Sequence, residues 1–309
     1  MCCLKAFKGL LKYIAVIQCV MKGIILAAGK GTRLYPASSH ISKILLPVYD
    51  KPMIYYPLTT LMSAGIRDIM IIVSKEDKAY FKRLLGNGKQ FGISIKYAVQ
   101  KTQKGIADAL LVGEKFIDGD MVALALGDNV FYGEEMYEHL AQAMAESEGA
   151  TIFCKQVEDP RAFGVAEIDE EGNVTSLEEK PSEPKSNWAV AGLYVYDKSA
   201  CKLAKTLKPS ARGELEITDL NKKYMEQGKL KAQLLEADVL WADTGTFDTL
   251  LKASNTIYDI EKTGRDIVGC PEEVALSRGF ITKRQLNEWV SKYKSNSYYD
   301  YLNVLLKEK

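Results

Sequence analysis

Behind the apolar run Gly23–Ala28 the chain turns through Gly29-Lys30-Gly31-Thr32-Arg33, which has little side chain to pack and much to offer an anion. Gly29 and Gly31 carry no Cβ, so their backbone N–H groups can approach a ligand closely. Thr32 adds a hydroxyl donor, Arg33 a fixed cationic fork, and Lys43 follows ten residues later. Such a set suits the spread negative charge of a triphosphate. The spacing excludes two common phosphate cradles. A dinucleotide fingerprint needs a third glycine where Leu34 stands, and a Walker loop needs four residues between its glycines and then Lys-Ser or Lys-Thr. Two carboxylates join the loop. Asp128 closes MVALALGD at the carboxyl end of a predicted buried strand, where α/β proteins bind ligands. Asp243, in WADTGTFDTL, lies between an apolar stretch and a predicted helix. Together they can share one Mg²⁺, a hard ion that prefers oxygen. Taken singly, Asp128 would be a turn residue, and Asp243 or Thr244 a helix cap.

The elements that must position these residues alternate along the chain. GIILAA (23–28), DIMIIVS (68–74), ISIKYAV (93–99) and MVALALGD (121–128) read as strands apolar on both faces. Helical patterns at 57–66, 75–88 and near 105–115 separate them, which predicts an α/β fold with a covered parallel sheet. Residues 150–200 are richer in strands, with a hairpin turn at Glu171-Gly172-Asn173. Helices return near 214–228, 244–262 and 271–307.

Composition narrows the chemistry. The 309 residues carry a formal net charge of +1 with acids and bases interleaved, so nucleic acid is not the expected partner. Six cysteines without C-x-x-C spacing fit a reduced, cytoplasmic protein rather than a disulfide scaffold or zinc site. Only His40 and His139 are present, neither in a metal or triad motif, so chemistry built on clustered histidines is excluded. Residues 1–20 alternate lysines with apolar residues as an amphipathic helix would. They are too short and charged to span a bilayer and read as a dispensable extension.

LAAGKGTRLYP, LLPVYDKPMIYYPL, LGDN, DPRAFGV, LEEKP, AGLYVYD, RGELEITDLN, WADTGT and GCPEEVALSRGFI, in this order, resemble the sugar-1-phosphate nucleotidylyltransferases from Met21 to about Tyr301. The resemblance implies a Rossmann-like, mixed and mostly parallel sheet flanked by helices, with a sugar-binding β-rich insertion and a helical C-terminal tail. The expected organisation is an extension over 1–20, a nucleotidyltransferase domain over 21–260 and a helical segment over 261–309 packed on the core. The implied substrates are dTTP and glucose 1-phosphate, the cofactor Mg²⁺ held by Asp128 and Asp243, and the products dTDP-glucose and pyrophosphate. Leu26, Ala28, Gly29, Gly31, Thr32 and Arg33 would hold the nucleotide, with Gln100 and Gly105 at the base. Gly164, Glu179, Lys180, Val190 and Tyr194 match the sugar-phosphate pocket, with Lys180 on the phosphate and Glu179 on sugar hydroxyls; Arg212 and Glu214 lie near it. Arg33, Lys43, Asp128, Lys180 and Asp243 are the implied catalytic set. A homotetramer and a second nucleotide-sugar site near residues 269–281 are further implications.

The chain departs from the family pattern at several places. Glycine is usual at Ala28, glutamine at Ile44 and Asp108, and tyrosine at Phe163. Ile44 then removes a polar ligand contact, and Asp108 adds negative charge beside the base-side loop. The sugar phosphate carries about −1.5 to −2 charge at neutral pH, so its oxygen is already nucleophilic and needs no general base. The expected reaction is direct in-line attack on the α-phosphorus, with cations relieving the repulsion between two anions. The same reaction with UTP, CTP or another sugar 1-phosphate stays open, as does a non-catalytic nucleotide-sugar binder.

Overall fold

The computed structural model describes residues 21–146, 148–263 and 267–307, so the expectation for residues 1–20 lies outside the described residues. In chain order the first strands are β1 (Lys22–Ala27), the two-residue β2 (Pro47–Val48) and β3 (Lys51–Pro52), β4 (Asp68–Val73), β5 (Ser94–Val99), β6 (Val122–Leu126) and β7 (Asn129–Tyr132). They are followed by β8 (Ala150–Gln156), β9 (Gly164–Ile168), β10 (Val174–Glu179), β11 (Trp188–Tyr196), β12 (Leu230–Leu235) and β13 (Leu240–Asp243). The fold is mixed α/β with a mostly parallel central sheet, as the alternation of elements predicts.

Four parallel strands form its heart in the order β6-β1-β4-β5, with Ile24 level with both Met70 and Leu124. Chain order runs outward from β1 to β4 and β5, then crosses back to β6. The β1/β6 boundary is therefore a topological switch point, the place where open α/β sheets bind ligands beyond their carboxyl ends. The glycine loop leaves β1 there and Asp128 leaves β6 there. Beyond β6 the sheet turns antiparallel through β11, whose residues Leu193–Tyr196 pair with β6 while Trp188 and Ala189 pair with β9. The other edge of β11 pairs with β8, and β12 runs parallel to β8.

This sheet forks in the middle of β11. Its register with β8 shifts between Val190 and Tyr194, a bulge that bends the strand from one partner to the next. Asn129 fills the fork: its Oδ1 accepts from the Gly192 N–H at 3.2 Å and from Trp241 Nε1–H at 2.7 Å. Its Nδ2 donates to Asp128 at 3.1 Å. Gly192 is required here, since a Cβ would sit 2.8 Å from the Asn129 amide.

The helices cover both faces. Tyr55–Ser63 is buried almost all round because the sheet lies on one side and Pro271–Ser277 on the other. Lys78–Leu85 is amphipathic, burying Phe81 and Leu85 one turn apart. At the C-terminal end, Lys283–Val290 begins with a capping box between Thr282 and Gln285. Ser297–Lys307 is tied back by the Tyr298 hydroxyl, which donates to buried Glu272 at 2.5 Å. No helix among the described residues is long and apolar enough to cross a membrane.

Asn129→Ala leaves the buried Gly192 N–H and the part-buried Trp241 indole N–H without their acceptor, and a buried unpaired donor costs about 1–3 kcal/mol. Urea unfolding is expected to show a loss of about 2–4 kcal/mol; a loss below about 0.5 kcal/mol contradicts the bridging role.

Candidate active site

Gly31 adopts a left-handed conformation, φ 63°, and starts the short turn Thr32–Leu34 that buries Leu34. Its carbonyl accepts from the Ser38 hydroxyl at 2.6 Å, which pins the loop. The stem of Lys43 runs directly under it, and a Cβ on Gly31 would come 2.8 Å from the Lys43 Cβ. Lys43 is 9% exposed, and its ammonium bonds the carboxylate of Asp128. Burial pushes the Asp128 carboxyl up, but the Lys43 charge, with hydrogen bonds from Lys43 and Asn129, outweighs it and holds the group below its ordinary range.

Asp243 reaches the same place by a ladder. β13 pairs antiparallel with β7, which sets Asp243 opposite Asn129 and so beside Asp128. Thr244 locks this end: its N–H and hydroxyl both donate to the Asp128 carbonyl, at 3.0 and 2.8 Å. The cap of the following helix, Phe247–Glu261, is Thr246 in a capping box with Thr249, so neither Asp243 nor Thr244 has that task. Asp243 is free to face the cleft. Burial, then the Asp128 charge, push its pKa up to about 6 against the pull of Lys43, Arg33 and Lys180. The guanidinium of Arg33 lies over Gly245, where a Cβ would come 2.6 Å from Nη2.

The far wall comes from the β9–β10 hairpin and β11. Glu179 is level with Gly164, and its Oε2 accepts from the Thr218 hydroxyl at 2.6 Å. Its other oxygen faces Arg212 at 3.3 Å and Lys180 at 3.5 Å. Lys180 has a left-handed backbone, φ 47°, held by its N–H donating to the Phe163 carbonyl at 2.9 Å. A lysine kept in that sparsely populated region is a local strain sustained by its surroundings. Tyr194 is buried and stacks on Tyr196. Burial, with Glu179 adding, pushes its hydroxyl well up, so it stays protonated.

Arg33, Asp128, Gly164, Glu179, Lys180, Val190, Tyr194 and Asp243 line one cleft of about 500 Å³, with Lys43 immediately behind Asp128. Ala28, Gly29 and Gln100 border a second, larger cleft of about 1190 Å³. Leu26, Gly31, Thr32 and Gly105 border neither. Gly105 instead wedges against Leu215, whose carbonyl would lie 2.4 Å from an added Cβ. Ile44 is 1% exposed and packs inward against Gly127, so its own side chain faces the core. Asn129, Trp241, Thr218 and Gly245 complete the site, and the sequence marks them only by position, next to or within motifs that carry acidic residues.

Asp128 and Asp243 offer only oxygen, the donor set of a hard divalent cation. Their mutual repulsion, visible in the raised Asp243, is what such a cation relieves. Among the described residues no group of three or more His, Cys, Asp or Glu is placed to hold a metal. A cation held by these two carboxylates would need its remaining ligands from elsewhere.

A model of the nucleotidyl transferase family matches residues 22–260, and the chain belongs to that family. Its relatives are more particular. A glucose-1-phosphate thymidylyltransferase of Neisseria meningitidis is 52% identical over 288 residues, 93% of this chain and 100% of the relative. One from Mycobacterium tuberculosis is 50% identical, covering 93% of this chain and 99% of the relative. Among solved structures, a Bacillus anthracis chain in complex with a sucrose superposes with TM-score 0.72 at 43% identity, covering 76% of this chain and 94% of that one. A UDP-glucose pyrophosphorylase complexed with UDP-glucose gives TM-score 0.69 at 25% identity, covering 78% and 99%.

In metal-free protein the raised Asp243 pKa is a stability cost that is absent below about pH 4, grows as pH rises through about 6 and is full above it. Asp243→Asn removes that cost. Urea unfolding in chelator is expected to show the variant more stable than the parent at pH 7.5 by about 2–3 kcal/mol, with the gap closing at pH 4. A gap independent of pH contradicts the assignment.

Proposed function

We propose that this chain transfers the thymidylyl group of dTTP to glucose 1-phosphate, giving dTDP-glucose and releasing pyrophosphate. The observation that carries it is the 500 Å³ cleft, in which two cations, Arg33 and Lys180, and two carboxylates, Asp128 and Asp243, converge beside a wall of Gly164, Glu179, Val190 and Tyr194. The names and near-full coverage of the relatives support the choice of substrates.

Each side chain has work that its surroundings permit. Lys180, half exposed at the cleft, receives the phosphate of glucose 1-phosphate. Glu179, fixed by the Thr218 hydroxyl, accepts from sugar hydroxyls, and the absence of a Cβ on Gly164 keeps space for the ring. Arg33 meets the triphosphate from above Gly245. Lys43 keeps Asp128 ionised and adds positive charge beneath the glycine loop. The nucleophile is the phosphate oxygen of the sugar, so no residue has to remove a proton. Alignment of two bound anions then supplies the rate, with an effective concentration on the order of 10⁵ M or more. Mg²⁺, held by Asp128 and Asp243 when bound, would neutralise charge developing on the phosphoryl oxygens.

The test is pyrophosphate release from dTTP with glucose 1-phosphate, in the parent and in Lys180→Ala. The parent is expected to turn over. The variant is expected to raise KM for glucose 1-phosphate more than about tenfold, the scale of one lost charge-assisted contact, while KM for dTTP stays within about twofold. No release by the parent overturns the activity, and equal rises in both constants overturn the role of Lys180.

A further inference from the structure

Gln100 follows β5 directly, with its N–H bonded to the Val73 carbonyl at 3.1 Å and its side chain, 8% exposed, on the wall of the larger cleft. Its Nε2 donates to the Asp108 carboxylate at 2.8 Å and to the Gly105 carbonyl at 3.4 Å. Both partners only accept, so turning the amide over would set oxygen against oxygen twice. Its Oε1 has no partner among the described residues. The two acceptors are themselves fixed. Gly105 is wedged on Leu215 at φ 96°, and the Leu215 N–H and carbonyl bond Lys104 and Ala107 at 2.6 and 3.2 Å. Asp108 begins the helix Asp108–Val112, whose Ala109 and Leu110 are buried.

We infer that Asp108 is a specificity-determining positioning residue: by holding the NH₂ of Gln100 it presents the amide oxygen to the nucleobase. An exposed oxygen acceptor suits a pyrimidine whose N3 carries hydrogen, thymine or uracil. It opposes cytosine, whose N3 is itself an acceptor. The inference rests on the reading above that Gln100 meets the base, and Asp108 itself touches no ligand. The negative charge at Asp108, which from sequence bears on nucleotide choice as an unexplained addition, becomes the device that sets the choice.

The experiment compares the parent, Asp108→Asn and Asp108→Glu with dTTP, dUTP and dCTP, which share one sugar, at saturating glucose 1-phosphate. Asparagine can turn its own NH₂ toward Gln100, which removes the shorter of the two contacts that hold the amide and leaves only the Gly105 carbonyl at 3.4 Å against the flip, whereas glutamate stays acceptor-only. For Asp108→Asn, kcat/KM for dTTP and dUTP is expected to fall about tenfold through KM, with kcat and the KM for glucose 1-phosphate unchanged. The dTTP-over-dCTP preference falls by at least that factor, and Asp108→Glu retains it. A preference in Asp108→Asn within twofold of the parent overturns the inference, and so does an equal loss for all three triphosphates carried by kcat. Calorimetric binding of the triphosphates alone reads the same preference without turnover. A parent that binds dTTP over dCTP, with the preference lost in Asp108→Asn, keeps the inference even if no pyrophosphate is released; equal binding by the parent overturns it.

Discussion

Lys43 and Asp128 hold each other at the point where β1 and β6 end, and both are largely cut off from water. A buried pair of this kind is costly to break, because removing either partner strands a charge worth about 3–5 kcal/mol of stability. The pair fixes the floor of the cleft. It draws the Lys43 stem under Gly31, so the glycine loop has only one way to lie, and it keeps Asp128 ionised beside a second carboxylate. Asp243 is then forced to sit near a negative charge inside the protein, and its raised pKa measures that stress. Arg33 and Lys180 approach from opposite walls and relieve part of it. Substrate anions and a divalent cation would complete the balance.

The sheet exists in this form to bring those charges together from four distant segments. Reversal of strand order at β1/β6 opens the crevice. The bulge in β11 and the Asn129 plug let one strand serve the parallel core at one end and the β9–β10 hairpin at the other. That hairpin carries Glu179 and Lys180, while the β7–β13 ladder carries Asp243. Asp128 and the Gly164–Glu179 wall thus hang on the nine-stranded sheet, Asp243 lies on the separate two-stranded β7–β13 ladder that Asn129 and Thr244 tie to it, and Arg33 and Lys43 sit in the short turns Thr32–Leu34 and Lys43–Leu45.

Much of this was legible in the residues. Apolar runs mark the parallel strands β1, β4, β5 and β6, but β5 is not covered on both faces as expected: it is the edge of the sheet, with Ser94 and Lys96 exposed. The Glu171-Gly172-Asn173 turn is also where the hairpin folds back, with Gly172 at φ 83°. Other parts had no local signature. β7 and β13 are four residues each, and β13 is only partly buried, so nothing in its pattern marks a strand. The burial of Ile44 has no local signature either: it follows from the short turn Lys43–Leu45, which points Lys43 to Asp128 and Ile44 inward. Gly245 and Asn129 matter through what packs on them, which a one-dimensional reading does not contain. Asp108 was visible as a departure, but its meaning depends on a hydrogen bond to a side chain eight residues away.

The central claim is that the cleft joins two bound anions directly, its side chains neutralising charge without becoming attached to the nucleotide. Lys180 and Tyr194 line that cleft and are the groups an alternative, covalent route would use. The stereochemical course at the α-phosphorus separates the two most directly, using dTTP with a chiral α-thiophosphate and glucose 1-phosphate. Direct in-line attack predicts inversion of configuration in the dTDP-glucose product. Retention, the mark of two successive displacements through an enzyme-bound nucleotide, would contradict the account.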